Sequence, residues 1–153
     1  MKINSDADNL LQELHSQDPV QRMYALTALA MSDASFVDDE LERGLADADR
    51  DCRATAARML GDREAKAAVP ALVVALLDAS SDIAQEAAEA LGKLADRRAV
   101  DPLLQVLRAQ AAPARAAAAR ALGELGDPRA VEGLGAALGD ATEAVRAEAA
   151  EAL

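Results

Sequence analysis

The feature that most constrains this chain is a period of 31 residues. Leu41, Leu72, Leu103 and Leu134 stand 31 apart, as do Leu45, Leu76, Leu107 and Leu138, and Leu10 and Leu14 fall on the same two columns. A second set keeps step with the first. Ala25-Leu26, Ala56-Ala57, Ala87-Ala88, Ala118-Ala119 and Ala149-Ala150 are followed by Ala28-Leu29, Met59-Leu60, Ala90-Leu91, Ala121-Leu122 and Ala152-Leu153. No insertion or deletion disturbs the register. A period of this length marks a stack of identical supersecondary units, because one unit alone cannot bury its apolar face.

Each unit reads as two helices. In the first half, Val145, Ala149, Ala150, Ala152 and Leu153 lie at i, i+4, i+5, i+7 and i+8; in the second, Val69, Leu72, Ala75 and Leu76 lie at i, i+3, i+6 and i+7. Both are single stripes on a 3.6-residue helix. Asp18-Pro19, Asp127-Pro128 and Thr142 read as N-caps that open helices. Gly61, Gly92 and Gly123 are expected where the first helix prepares to turn. The predicted fold is all-α, a right-handed α-α superhelix of helix–turn–helix repeats forming a single domain over 1–153. It comprises a half repeat at 1–17, full repeats at about 18–48, 49–79, 80–110 and 111–141, and a partial repeat at 142–153.

Composition narrows what such a stack can do. Aromatic residues are 1% and Trp is absent, so the core must be thin helices packed closely through alanine, without the large anchors that line cofactor pockets. Ala57 and Ala119 are expected inside. The net charge of -11 repels nucleic acid and anionic membranes and implies solubility or a basic partner. Acidic residues are densest from Asp33 to Asp51, with only Arg43 and Arg50 opposing them. Cys52 is the single cysteine, which rules out an intrachain disulfide. It shares a column with Ile83 and Val145, so a buried thiol is expected. The first residues lack a basic segment leading into an apolar run, and a cytoplasmic location is expected.

The run Ala118-Ala-Arg-Ala-Leu-Gly-Glu-Leu-Gly-Asp-Pro-Arg-Ala-Val131, followed by Leu134 and Ala137-Leu138, resembles the HEAT-like repeat of the phycobilisome-lyase type. The resemblance covers nearly the whole chain and is weakest from Met31 to Asp39. It implies a concave surface lined by the second helices, where partners bind. It also implies a ladder of arginines, Arg22, Arg53, Arg115 and Arg146, bonded to turn aspartates, with Ala84 replacing the middle arginine. The turn aspartates are Asp96 and Asp127, so the expected rungs are Asp96 with Arg115 and Asp127 with Arg146.

Chemistry-bearing motifs are scarce. HEAT-like proteins that hold iron use several His-Glu pairs, whereas His15 is the only histidine here and is expected on the surface of the first helix. No phosphate loop, dinucleotide fingerprint or nucleophile elbow occurs. No carboxylate falls on a column expected to be buried, which general acid–base work requires. No catalytic, cofactor or metal residue is therefore assigned.

One departure from the repeat stands out. Two columns of the second helix should face solvent: Gln12, Arg43, Val74, Gln105, Ala136, and His15, Ala46, Leu77, Arg108, Gly139. Only one repeat fills both with large apolar residues, Val74 and Leu77. An apolar patch on an exposed face suggests a docking site, rimmed by Arg43, Asp101, Gln105 and Arg108; packing of Val74 and Leu77 on a neighbouring helix or in a crystal or dimer contact is the alternative. Gly133, Gly135 and Gly139 make the last second helix the expected soft element. The sequence stops at Leu153 within a first helix, which suggests a piece of a longer array or an end-to-end homo-oligomer. The expected function is a non-enzymatic protein–protein interaction scaffold; the alternative is an accessory or regulatory domain of a lyase-type or other enzyme that holds a protein substrate or cofactor.

Overall fold

The computed structural model describes the backbone of residues 3–153 and the side chains from residue 6 onward; the first two residues of the expected half repeat lie outside the described residues. The described residues contain helices and no strand. The first helices of the units, the A helices, are α2 (Pro19–Ala30), α4 (Arg50–Asp62), α6 (Ser81–Leu94), α8 (Ala112–Leu125) and α10 (Glu143–Ala152). The B helices, each shorter than the A helix of its own full unit, are α1 (Ile3–Glu13), which precedes the first full unit, α3 (Val37–Gly44), α5 (Val69–Ala75), α7 (Val100–Ala109) and α9 (Val131–Ala137). Single 3-10 turns, Lys66–Ala68, Arg97–Ala99 and Pro128–Ala130, lead into α5, α7 and α9.

Local chemistry sets these boundaries. Asp18 caps α2 by accepting from the Val20 amide, and Asp49 caps α4 by accepting from Asp51 and Cys52, satisfying amides that have no partner within the helix. Thr142 stands at the same column but makes no side-chain cap bond, contrary to the sequence expectation. Its amide instead donates to Asp140 Oδ1 at 2.8 Å, so the aspartate two residues earlier shapes that turn. At the far end of the A helices, Glu64, Ala95 and Gly126 share one column and one left-handed conformation, with φ of 53°, 52° and 57°.

The A helices form a continuous packed column, and each B helix leans mainly on the A helix that follows it. The column is close because its contacts are small. A Cβ built on Gly61 would lie 2.8 Å from Ala90 Cα, on Gly92 3.1 Å from Ala121 Cα, and on Gly123 2.9 Å from Ala152 Cα. These glycines sit late in their A helices, where the sequence placed them; they are also the points where successive A helices touch backbone to backbone. Ala57 and Ala119 are fully buried, as are Leu60, Leu91, Leu103 and Ile83. Adjacent B helices touch each other far less, and open grooves run between them.

Candidate interaction surface and the arginine ladder

Every residue of the two outward columns is exposed, from Gln12 and His15 to Ala136 and Gly139. On α5 these positions are Val74, 70% exposed, and Leu77, 69% exposed. Most of each side chain is open to solvent. Between α3 and α5 lies a groove of about 510 Å³, lined by Glu42, Leu45, Ala46, Ala71, Val74, Ala75, Leu77 and Asp78. The anticipated rim only partly converges on it. Arg43 pairs with Glu40 and lines the neighbouring groove with Leu14, His15 and Asp47. Asp101 pairs with Arg129 at 3.3 Å. Gln105 and Arg108 are exposed on α7, on the far side of α5. His15 is exposed but follows α1, in the turn, and is not part of that helix.

The arginine ladder exists with different partners from those the resemblance implied. Arg22 is bidentate to Asp47, with both bonds at 2.8 Å. Arg115 is bidentate to Asp140 at 2.8 and 2.9 Å, and Arg53 binds Asp78 at 2.9 and 3.4 Å. Each rung spans 25 residues, from the start of an A helix to the turn after the B helix of the same unit. The same guanidinium donates backward to a carbonyl in the preceding turn: Ser16 for Arg22, Asp47 for Arg53, Gln110 for Arg115 and Asp140 for Arg146. Arg22, Arg53 and Arg115 each thus tie together the two turns that flank their own unit, while Arg146 holds the preceding turn. The rung aspartates also accept from the amide two residues on, Asp49, Ser80 and Thr142.

Asp96 and Asp127 are not rungs. Each caps its own 3-10 turn and binds the arginine two residues later, Arg98 and Arg129. Those hydrogen bonds hold both carboxyls down, to about 2. Asp127 is nevertheless buried, at 7% exposure, which corrects the expectation that no carboxylate sits inside. Its charge is met by Arg129 at 3.0 Å and Arg97 at 3.8 Å, so burial here goes with a paired group that is ionised at neutral pH. The Arg22 hydrogen bond likewise lowers the pKa of Asp47. Glu86 goes the other way, raised by burial and then by Glu89.

Cys52 is fully buried, and its Sγ donates to the Pro19 carbonyl at 3.3 Å. Burial, with Asp47 and Asp49 nearby, pushes the thiol up to about 11, so it stays protonated and unreactive at neutral pH. Among the described residues no group of three or more His, Cys, Asp or Glu side chains could hold a metal ion, and no helix is long and apolar enough to cross a membrane.

The sequence profile of HEAT repeats matches residues 39–118 and 100–153. The chain belongs to the HEAT-repeat family. This HEAT-repeat chain is similar in structure to the complex of CpcE and CpcF of phycocyanin lyase from Nostoc sp. PCC7120, with 28% identity and a TM-score of 0.84 over 95% of its length. It spans 63% of that chain. Human deoxyhypusine hydroxylase in complex with glycerol is similar at 23% identity and TM-score 0.67, over 95% of this chain and 60% of that one. A designed armadillo repeat protein in complex with the peptide (KR)4 is similar at 22% identity and TM-score 0.66, over 94% and 79%. The phycobilisome-lyase-type resemblance and the solenoid fold both agree with these likenesses. No curated protein matches the sequence.

Proposed function

We propose that this HEAT-repeat chain is a non-enzymatic scaffold, one domain that holds a protein partner against its B helices. The observation that carries this reading is the exposure of Val74 and Leu77 beside an open apolar groove. Large apolar side chains held in water cost free energy that a docked partner recovers. Gln105, Arg108 and Asp101 on α7 and Arg43 on α3 flank that contact as polar residues. Asp127, paired with Arg129, and Cys52, buried as a thiol, are not offered as catalytic groups. A reducing, cytoplasmic setting for the single thiol belongs to the proposal.

A second reading rests on the 28% identity to a phycocyanin lyase complex: the repeats would serve as an accessory domain that holds a protein substrate or cofactor for an enzyme. The test is affinity capture from a lysate of the source organism with the wild-type chain and a Val74→Asp/Leu77→Asp variant, both checked for helicity. The scaffold reading expects the wild type to retain a defined protein that the variant loses. Equal retention by both would overturn it. Co-purification of a pigment, seen as visible absorbance, would favour the accessory-domain reading.

A further inference from the structure

Resting on the scaffold reading, we infer that the α3–α5 groove takes a short amphipathic segment of a basic protein, its apolar side chains on α5 and its lysines or arginines toward α3. The two walls differ in kind. The α5 wall offers Ala71, Val74 and Leu77, with no charge until Asp78 at its end, and Arg53 already neutralises that aspartate. The α3 wall carries Glu42, for which no cation lies within ion-pair distance among the described residues, with the exposed Asp39 one turn earlier on the same helix. The cations that could compensate are committed elsewhere: Arg43 pairs with Glu40 and lines the other groove, and Arg63 pairs with Asp38 at 2.7 Å.

The opposite flank sets the polarity. Arg108 of α7 occupies the column of Leu77, is exposed and makes no ion pair among the described residues. A cation laid on that side meets repulsion, and one laid over α3 meets Glu42 and Asp39. The net charge of -11 draws a basic segment to the whole molecule, but that attraction falls off within a Debye length and does not choose a groove. The apolar wall makes the choice, since buried apolar contact supplies the short-range part of affinity.

A random peptide library displayed on phage and selected on the full chain alone, with each winner then measured on the folded Val74→Asp/Leu77→Asp variant, tests this directly. Those substitutions add negative charge, so they strengthen binding that is merely electrostatic and weaken only binding that uses the apolar wall. The expected winners carry paired apolar residues with an excess of Lys and Arg. They should lose at least about tenfold in affinity on the double variant and several-fold on Glu42→Lys, and bind undiminished to Arg108→Glu. Winners that depend on Val74 and Leu77 but carry neutral or acidic flanks overturn the basic-partner inference and leave the scaffold reading standing. No enriched sequence, or winners indifferent to the double variant, overturns docking in this groove.

Discussion

At the scale of single residues, glycine acts here through space. The Gly61 position in α4 leaves no room for a methyl group, because Ala90 of the next A helix presses its backbone there. Gly61→Ala is expected to cost about 1–3 kcal/mol, as overpacking of a close helix contact does, while Gly135→Ala in α9, with nothing within 4 Å of the added carbon, should gain up to about 1 kcal/mol. Urea denaturation of the two variants checks both, and a stabilising Gly61→Ala would mean that the A helices separate easily. Acid sensitivity is a second residue-scale property. The Arg98 and Arg129 hydrogen bonds hold Asp96 and Asp127 down to about 2, and Asp47, Asp78 and Asp140 are also lowered; at Asp78 burial works against ionisation and is outweighed by the Arg53 and Ser80 hydrogen bonds. A folded value below the unfolded one stabilises the chain above roughly pH 4, and that contribution is lost as pH falls toward the folded value. Glu86, raised by burial, has the opposite sign, and its protonation relieves a cost. The thermal midpoint should hold between about pH 7 and 5 and fall between about pH 4 and 2. An Asp127→Asn variant should begin lower and fall less across the acid window; a parallel fall would show that Asp127 contributes nothing to the acid response.

At the scale of the element, the ladder shows how far the repeat could be read. The third full unit has Ala84 where its siblings have arginine and Ala109 where they have aspartate, and α7 runs on through Ala109 without an aspartate to shape the turn. Losing both partners together leaves no orphaned charge. Restoring them tests the pairing. Ala84→Arg alone should destabilise, because position 84 is fully buried, and adding Ala109→Asp should recover about 0.5–3 kcal/mol of coupling in a double-mutant cycle. A coupling of zero would mean that the rungs seen elsewhere are incidental. The helices and their order were legible because each apolar stripe recurs five times without slippage. The rung partners were not, because Asp96 and Asp127 follow the A helix and invite pairing with the next arginine, whereas the true partner stands 25 residues downstream. A signal was present nonetheless: the column Asp47, Asp78, Ala109, Asp140 fails in the same unit as the arginine column. Val74 and Leu77 were legible by comparing columns. Their groove was not, since it depends on the spacing between B helices, which no single repeat encodes.

For the whole molecule, the stack behaves as a chain of neighbours. α4, α6 and α8 each have an A helix on both sides, whereas α2 and α10 have one. The consequence shows in side chains of one column: Val69 and Val100 are buried, yet Val131 is 57% exposed. Tyr24 is 64% exposed, whereas Thr55 and Ala117 of the same column are buried. In such an array local stability is the sum of a unit's own terms and its nearest interfaces. Amide hydrogen exchange should therefore be slowest in α6 and α8 and quicken toward α2 on one side and toward α9 and α10 on the other. The glycines of α9 sharpen this expectation. Gly133 is closely packed, because a carbon added there would collide with Leu104, while Gly135 and Gly139 have space around them. Protection within α9 should fall off from Gly133 toward Gly139 and not be uniformly weak. A profile with equal protection in every helix would show that the stack unfolds as one cooperative block, and interface counting would then lose its basis as an account of its stability.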